Sequence, residues 1–381
     1  MNSVLRRSHE PSWCCFFTAF IFDRATTIRT LFENMVATLV KPATRLTTAA
    51  PIFVGLSIFG CYAIHAHLII SEGQLALEQN PIKWTNTGNE PLDAFFDIIL
   101  TFFTYTVTPG TSVRAFGYSF WTSISVFVAI MELEAVRTGA SSWMQRTAFW
   151  AILYEGVGGG VIIPLYALAF LSQYPTPSSR GSAIPATAAD GVVFGLLFGY
   201  APSVIAMYAI SSPRALAVFQ FFPLYVSALR YIYTSVLGRS HRQQPLTKTE
   251  TIKGYTVTLR TLAVVGIVSA YFHIQYILLP IISHSTPLTH FKHLYVPSIT
   301  SPSPATTTAI TAVHHILQWD NILILGSMFL AGIWDFDLAT KFKVILWSFG
   351  VGVALGPGAA LAGVWAYRQS VIRDMQRKVK E

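Results

Sequence analysis

The chain has 381 residues, of which 52% are hydrophobic and 12% charged, against roughly a quarter charged in soluble domains; that balance excludes an ordinary soluble protein and turns the excess apolar surface toward lipid. The formal net charge of +8 comes from Lys and Arg residues that flank apolar runs. They do not form a patch interleaved with exposed aromatics, so the surplus reads as topology signal and anionic-lipid contact, and no nucleic-acid partner is expected.

Residues 1–50 are read as a cytosolic or interfacial head. Arg6 and Arg7 precede an apolar run at 13–22 that is too short to span and is followed by Asp23-Arg24 instead of a small-residue cleavage site. An interfacial helix facing the cytosol fits best, with an organelle-targeting peptide as the alternative. Cys14 and Cys15 are adjacent and Cys61 lies in an apolar run, so neither a disulfide framework nor a zinc site is expected.

Residues 51–367 form the expected membrane domain. About 20 apolar residues cross ~30 Å of hydrocarbon, and candidate spans occur at 51–70, 94–107, 116–131, 147–171, 191–210, 215–237, 257–282, 315–334 and 344–367. The fold class is therefore all-α, a polytopic transmembrane helical bundle of about eight spans, with seven to nine as the range. The loop at 238–255 carries Arg239, Arg242, Lys248 and Lys253 and belongs in the cytosol by the positive-inside rule, as do the head and the basic tail at 368–381. Nine crossings would put head and tail on opposite sides, so one candidate is re-entrant or interfacial. The shortest is 94–107, while 344–367 contains Gly356-Pro357-Gly358, which can break a helix. The Ser/Thr/Pro/His-rich stretch at 283–311 suits a flexible lumenal loop. A multi-pass protein of this kind is expected in the endoplasmic reticulum membrane.

Acids at bilayer depth cost at least ~2.5 to 3.5 kcal/mol on insertion scales and are functional candidates by default. Glu155 falls near the middle of its span beside Gly156, Gly158, Gly159 and Gly160, where a helix or a ligand can approach the backbone. Asp320 follows Gln318-Trp319 near one end of a span. Kept from water beside an indole, a carboxyl can retain its proton and serve as an acid; an interfacial cap is the competing reading. Asp335 and Asp337 close the same helix, with Lys341 and Lys343 available for juxtamembrane pairing. Glu132 and Glu134 near Arg137 suggest a structural salt bridge. Asp93 and Asp97, at i and i+4, have no second aspartate-rich partner segment with which to hold Mg²⁺ against a diphosphate. His65, His67 and His273 show no regular pairing that would ligate haem. The 27 Phe, 16 Tyr and 9 Trp make belts and packing, and some can wall a cavity that stabilises a migrating carbocation.

A family resemblance joins these observations. Pro91-Leu92-Asp93, Tyr154-Glu155 running into Gly158-Gly159-Gly160 and Pro164-Leu165-Tyr166, Phe222-Pro223-Leu224-Tyr225, Leu317-Gln318-Trp319-Asp320 and Trp334-Asp335 occur in that order. The pattern resembles the membrane-bound terpene cyclases of fungal meroterpenoid pathways, the ascochlorin, ascofuranone and macrophorin group. The resemblance implies acid catalysis without metal or organic cofactor. A buried carboxylic acid protonates an epoxide or alkene of a farnesyl chain, carried on a meroterpenoid, and the double bonds close onto the cation. Glu155 or Asp320 is then the proton donor, with the other acid or Asp335 orienting it or taking the final proton. The expected partners are the bilayer and a prenylated small molecule. The rival from another class is a small-molecule transporter with a midplane site around Glu155 in a broken helix, although no internal repeat is present.

Overall fold

The computed structural model describes residues 44–66, 88–173, 183–237, 247–299 and 308–380, all helices and connections with no strand among them. The expected helix at 13–22, together with Cys14, Cys15 and His67, lies outside these residues. The chain divides into two units, residues 1–50 and 51–381, and the second holds the helical bundle.

In chain order the helices are α1 (Thr44–Cys61), α2 (Glu90–Val107), α3 (Ser112–Ala135), the short α4 (Ser142–Gln145), α5 (Thr147–Val157), α6 (Gly159–Gln173), α7 (Ala186–Gly195), α8 (Ala201–Ile210), α9 (Pro213–Phe219), α10 (Phe222–Leu237), α11 (Lys248–His273), α12 (Leu279–Ser283), α13 (Pro287–Tyr295), α14 (Ala309–Ile333), α15 (Leu338–Leu355) and α16 (Pro357–Lys380). Short wide turns of helix join α7 to α8 and α11 to α12. Six helical stretches are long and apolar enough to cross a membrane, and a seventh is obtained when α9 and α10, bent by 49°, count as one. The fold is the helical polytopic bundle expected from composition.

Two candidate spans take a different form. The run at 147–171 reads as one continuous span, but Gly158 adopts φ +105 and ends α5. Trp150 and Tyr166, equally spaced on either side of Gly158, bring their ring centroids to 5.4 Å. In an unbroken helix, residues sixteen apart lie about 24 Å apart along the axis, so α5 and α6 fold back as a helical hairpin. Its far end returns to its starting side, where the Gln173 amide oxygen accepts from the Ser141 N–H at 2.6 Å. The run at 344–367 likewise divides, as Gly356-Pro357-Gly358 allowed. Gly356 has φ +92 and Pro357 opens α16, the first-turn position where a missing N–H costs nothing. Helix α16 then runs back along α11, with Gly358 against Ser269, Gly266 against Ala362, and Tyr255 bonded to Ser370 at 2.9 Å.

Within the stretch at 283–311, the described residues 283–299 hold a helix in place of the expected flexible loop. Pro287 opens α13, and the Gln318 side-chain amide on α14 donates to the carbonyls of His293 and Leu294 at 2.9 and 2.8 Å.

One end of the bundle gathers charge. Glu134 accepts from Arg137 at 2.7 Å and pairs with Arg368 at 3.2 Å, while Glu132 pairs with Arg230 at 2.8 Å and accepts from Ser227 at 2.9 Å. The expected structural salt bridge is thus a network tying α3, α10 and α16 together at the basic end of the bundle.

Candidate active site

The site is built where the hairpin turns. At a helix start the first N–H groups lack intrahelical acceptors, and the break at Gly158 creates such a start inside the bundle. Asp320 supplies an acceptor from another helix: the Gly160 N–H donates to Asp320 Oδ1 at 2.7 Å. Asp320 sits near the middle of α14, which starts at Ala309 under a Thr308–Thr311 capping box. The apolar run that marks this helix in the sequence starts only at 315, which would leave Asp320 near an end. Those six extra residues at the start, about 9 Å of rise, move the carboxyl from the expected edge to the interior.

The glycines permit this approach. A Cβ on Gly160 would stand 2.9 Å from the tips of Ile64 and Leu323 and 3.1 Å from Asp320 Oδ1, and one on Gly159 would strike Ile324. On α1, a Cβ at Gly60 would strike the Gly160 carbonyl oxygen, and the Ser57 hydroxyl donates to the Val161 carbonyl at 2.8 Å. Gly60 of α1 and Gly160 of α6 therefore meet backbone to backbone, and α14 lays the Asp320, Leu323 and Ile324 side chains against the same turn, while Gly156 has open space beside it.

Glu155, in the last turn of α5, is an electrostatic neighbour of Asp320, Tyr154 and Tyr200. Both acids are partly exposed, and neither forms a salt bridge among the described residues. Aromatic residues lie next to them in sequence and in the packing. Trp319 meets Phe59 edge-on at 4.9 Å, Tyr154 meets Phe127 at 5.9 Å, and the Tyr200 hydroxyl donates to the Trp121 carbonyl. The buried Tyr154 hydroxyl and Trp319 indole N–H have no protein partner, so the residue preceding each acid carries an uncommitted donor.

The structure brings Glu155 and Asp320 together and leaves Asp335 apart. Fifteen residues farther along, Asp335 lies roughly 22 Å from Asp320 by helical rise, beyond the C-terminal end of α14. Asp337 caps α15, accepting from the Thr340 N–H at 2.9 Å and the Thr340 hydroxyl at 2.6 Å; this replaces the expected pairing with lysine. Two contributors are not apparent in the sequence. The Gly160 N–H is a backbone group with no signature beyond the glycine run, and Tyr200 joins the site through the bundle's packing.

Residues 36–373 match the CtvD domain family. The chain belongs to that family of terpene cyclases. It is 23% identical over 349 residues to a terpene cyclase of Pyrenophora dematioidea, covering 88% of this chain and 98% of the relative. It is 25% identical over 286 residues to terpene cyclase rstn5 of Aspergillus nomiae, covering 70% and 77%. A third relative, FAD-dependent monooxygenase verC1 of Penicillium polonicum, is 24% identical over 281 residues; that match takes in 67% of this chain and only 32% of the longer relative. No solved structure matches. Within the family's matched region, the paired acids of this cyclase fall at the hairpin turn and on the helix that packs against it.

Proposed function

We propose that the protein is an integral membrane terpene cyclase, resident in the endoplasmic reticulum, that protonates the terminal epoxide of a farnesyl chain carried on a meroterpenoid. Glu155 is the proton donor and Asp320 its ionised partner. The observation that carries this assignment is the Gly160 N–H bond to Asp320 Oδ1 at 2.7 Å. A carboxylate that accepts from a helix start is favoured in its charged form, and two adjacent charges at bilayer depth are costly enough to keep the proton on Glu155. Protonation opens the C–O bond of the epoxide, the alkenes of the chain attack in turn, and loss of a proton to Asp320 ends the sequence with no net change in composition. Tyr154, Tyr200 and Trp319 lend ring faces to the passing cation while limiting water.

The monooxygenase relative supports an epoxide over a plain alkene. A flavin monooxygenase inserts oxygen, and a segment similar to this chain occurs in a protein of that name. Asp335 lies too far along the chain from Asp320 to take part, and it has no chemical step in this scheme.

The test uses microsomes containing the full chain and an epoxyfarnesyl phenol. Wild type should yield an isomeric cyclised product of unchanged mass. Glu155→Gln should lower turnover about 10²- to 10⁴-fold, the range of a general acid, and Asp320→Asn should reduce it while leaving the Gly160 bond in place. Unchanged epoxide with the wild-type protein, or full activity in Glu155→Gln, defeats the assignment; transmembrane flux of the epoxide without chemistry would favour a transporter with a midplane site.

A further inference from the structure

At the basic end, away from Glu155 and Asp320, a cavity of about 90 Å³ opens between α11 and α16. It is far below the ~300 Å³ at which drug-sized ligand sites begin, and too small for a farnesyl chain. Its walls include Ile184, Ile372, Thr258, Tyr255, Arg137 and Arg373.

Thr258 shows that the cavity is more than a packing gap. A threonine in a helix commonly returns its hydroxyl to the carbonyl four residues back. Its neighbours on α11 do so, Thr256 to Ile252 at 2.9 Å and Thr261 to Val257 at 2.9 Å. Thr258 is 1% exposed and its hydroxyl has no partner. It faces a cavity whose rim holds the Arg373 guanidinium 4.4 Å from the Tyr255 ring. The Arg373 charge is only loosely met by Asp374 at 3.6 Å. Arg137, also in the cavity wall, is held by the Glu134 carboxylate, which Arg368 contacts from outside the wall, so Arg373 is the wall's guanidinium with the looser carboxylate contact. Lys248 and Lys253 belong to the same end of α11, the side that the positive-inside rule gives to the cytosol, where anionic lipids concentrate.

We propose that this cavity binds the phosphate of an anionic phospholipid, with Arg373 and the Thr258 hydroxyl as its donors and the glycerol end leaving toward the bilayer past Ile252, which is exposed. The inference rests on the membrane reading and is independent of the cyclisation chemistry.

The full chain, extracted in mild detergent, is incubated with equal amounts of phosphatidic acid and phosphatidylcholine, and retained lipid is counted by native mass spectrometry. Phosphatidic acid should be kept in preference to phosphatidylcholine. Arg373→Ala should reduce that preference about fivefold, the worth of one basic side chain near a lipid headgroup. Thr258→Val, nearly the same shape, should reduce it as well, while Lys343→Ala, a basic residue exposed on α15, should not. Equal retention of the two lipids, or a preference unmoved by both cavity variants, overturns the proposal. So does displacement of phosphatidic acid by inorganic phosphate at matched concentration, which would mark a site for the free anion. Epoxide turnover in Arg373→Ala separates the two readings, since loss of lipid preference there leaves the acid pair untouched.

Discussion

Two groups of acids sit in this bundle under opposite conditions. Glu132 and Glu134 meet Arg137, Arg230 and Arg368 at the basic end. Glu155 and Asp320, at the hairpin turn, meet no cation among the described residues and receive one backbone N–H. An acid matched with guanidinium is committed to holding helices together, because breaking such a buried pair strands a charge. An acid set against another acid, with tyrosines for neighbours and no cation, has a proton to exchange. The difference marks out chemistry more clearly than burial alone, since it is the structural acids that are the more deeply buried.

The contrast between the two groups fails outright if Glu155→Gln retains activity. The expected loss of about 10²- to 10⁴-fold should occur in protein that purifies as well as wild type, measured by product formation per folded molecule. The opposite pattern belongs to Glu134. Glu134→Gln leaves Arg137 and Arg368 without their shared carboxylate, at a cost of about 3 to 5 kcal/mol for a broken buried pair. The readout is the thermal midpoint in detergent; whatever protein survives should cyclise at close to the wild-type rate.

Gly158→Ala probes the same contrast from the backbone side. At φ +105 an L side chain is strained by about 1 to 3 kcal/mol, and the turn that presents Gly160 to Asp320 is what absorbs it. Activity should fall more than stability, which parallel turnover and thermal-shift measurements would reveal. A variant that loses stability alone would make the hairpin a packing device.

Much of this arrangement is legible in the sequence, and the remainder is hidden for identifiable reasons. The apolar runs, Glu155 with its glycines, and the Gly356-Pro357-Gly358 break are written in residue types, because hydropathy and proline act locally. The hairpin is not visible: apart from Glu155 the stretch at 147–171 reads as one apolar run, and a glycine in a continuous helix reads the same as a glycine with positive φ. Asp320 looks peripheral because the start of α14 is set by the capping of Thr308, which precedes any strongly apolar residue. That Asp335 belongs elsewhere follows from helical rise once the helix bounds are known.

The smallest expected effect concerns an acid of a third kind, solvent-facing and local. Asp337 is exposed at the start of α15, and the Thr340 hydroxyl, then the Thr340 N–H, hold its carboxyl below the ordinary carboxylate range. A depressed value in the folded state means that the cap's contribution is complete above the unfolded pKa and disappears as pH falls through the folded one. Protection of the Thr340 amide against hydrogen exchange should therefore persist at neutral pH and weaken below about pH 4, the unperturbed aspartate value. Asp337→Asn retains a good capping residue but has no proton to gain, so its protection should be flat across that range. If wild type and variant lose protection together on acidification, the Thr340 contacts do not govern this helix start, and the acid that titrates must lie deeper in the bundle.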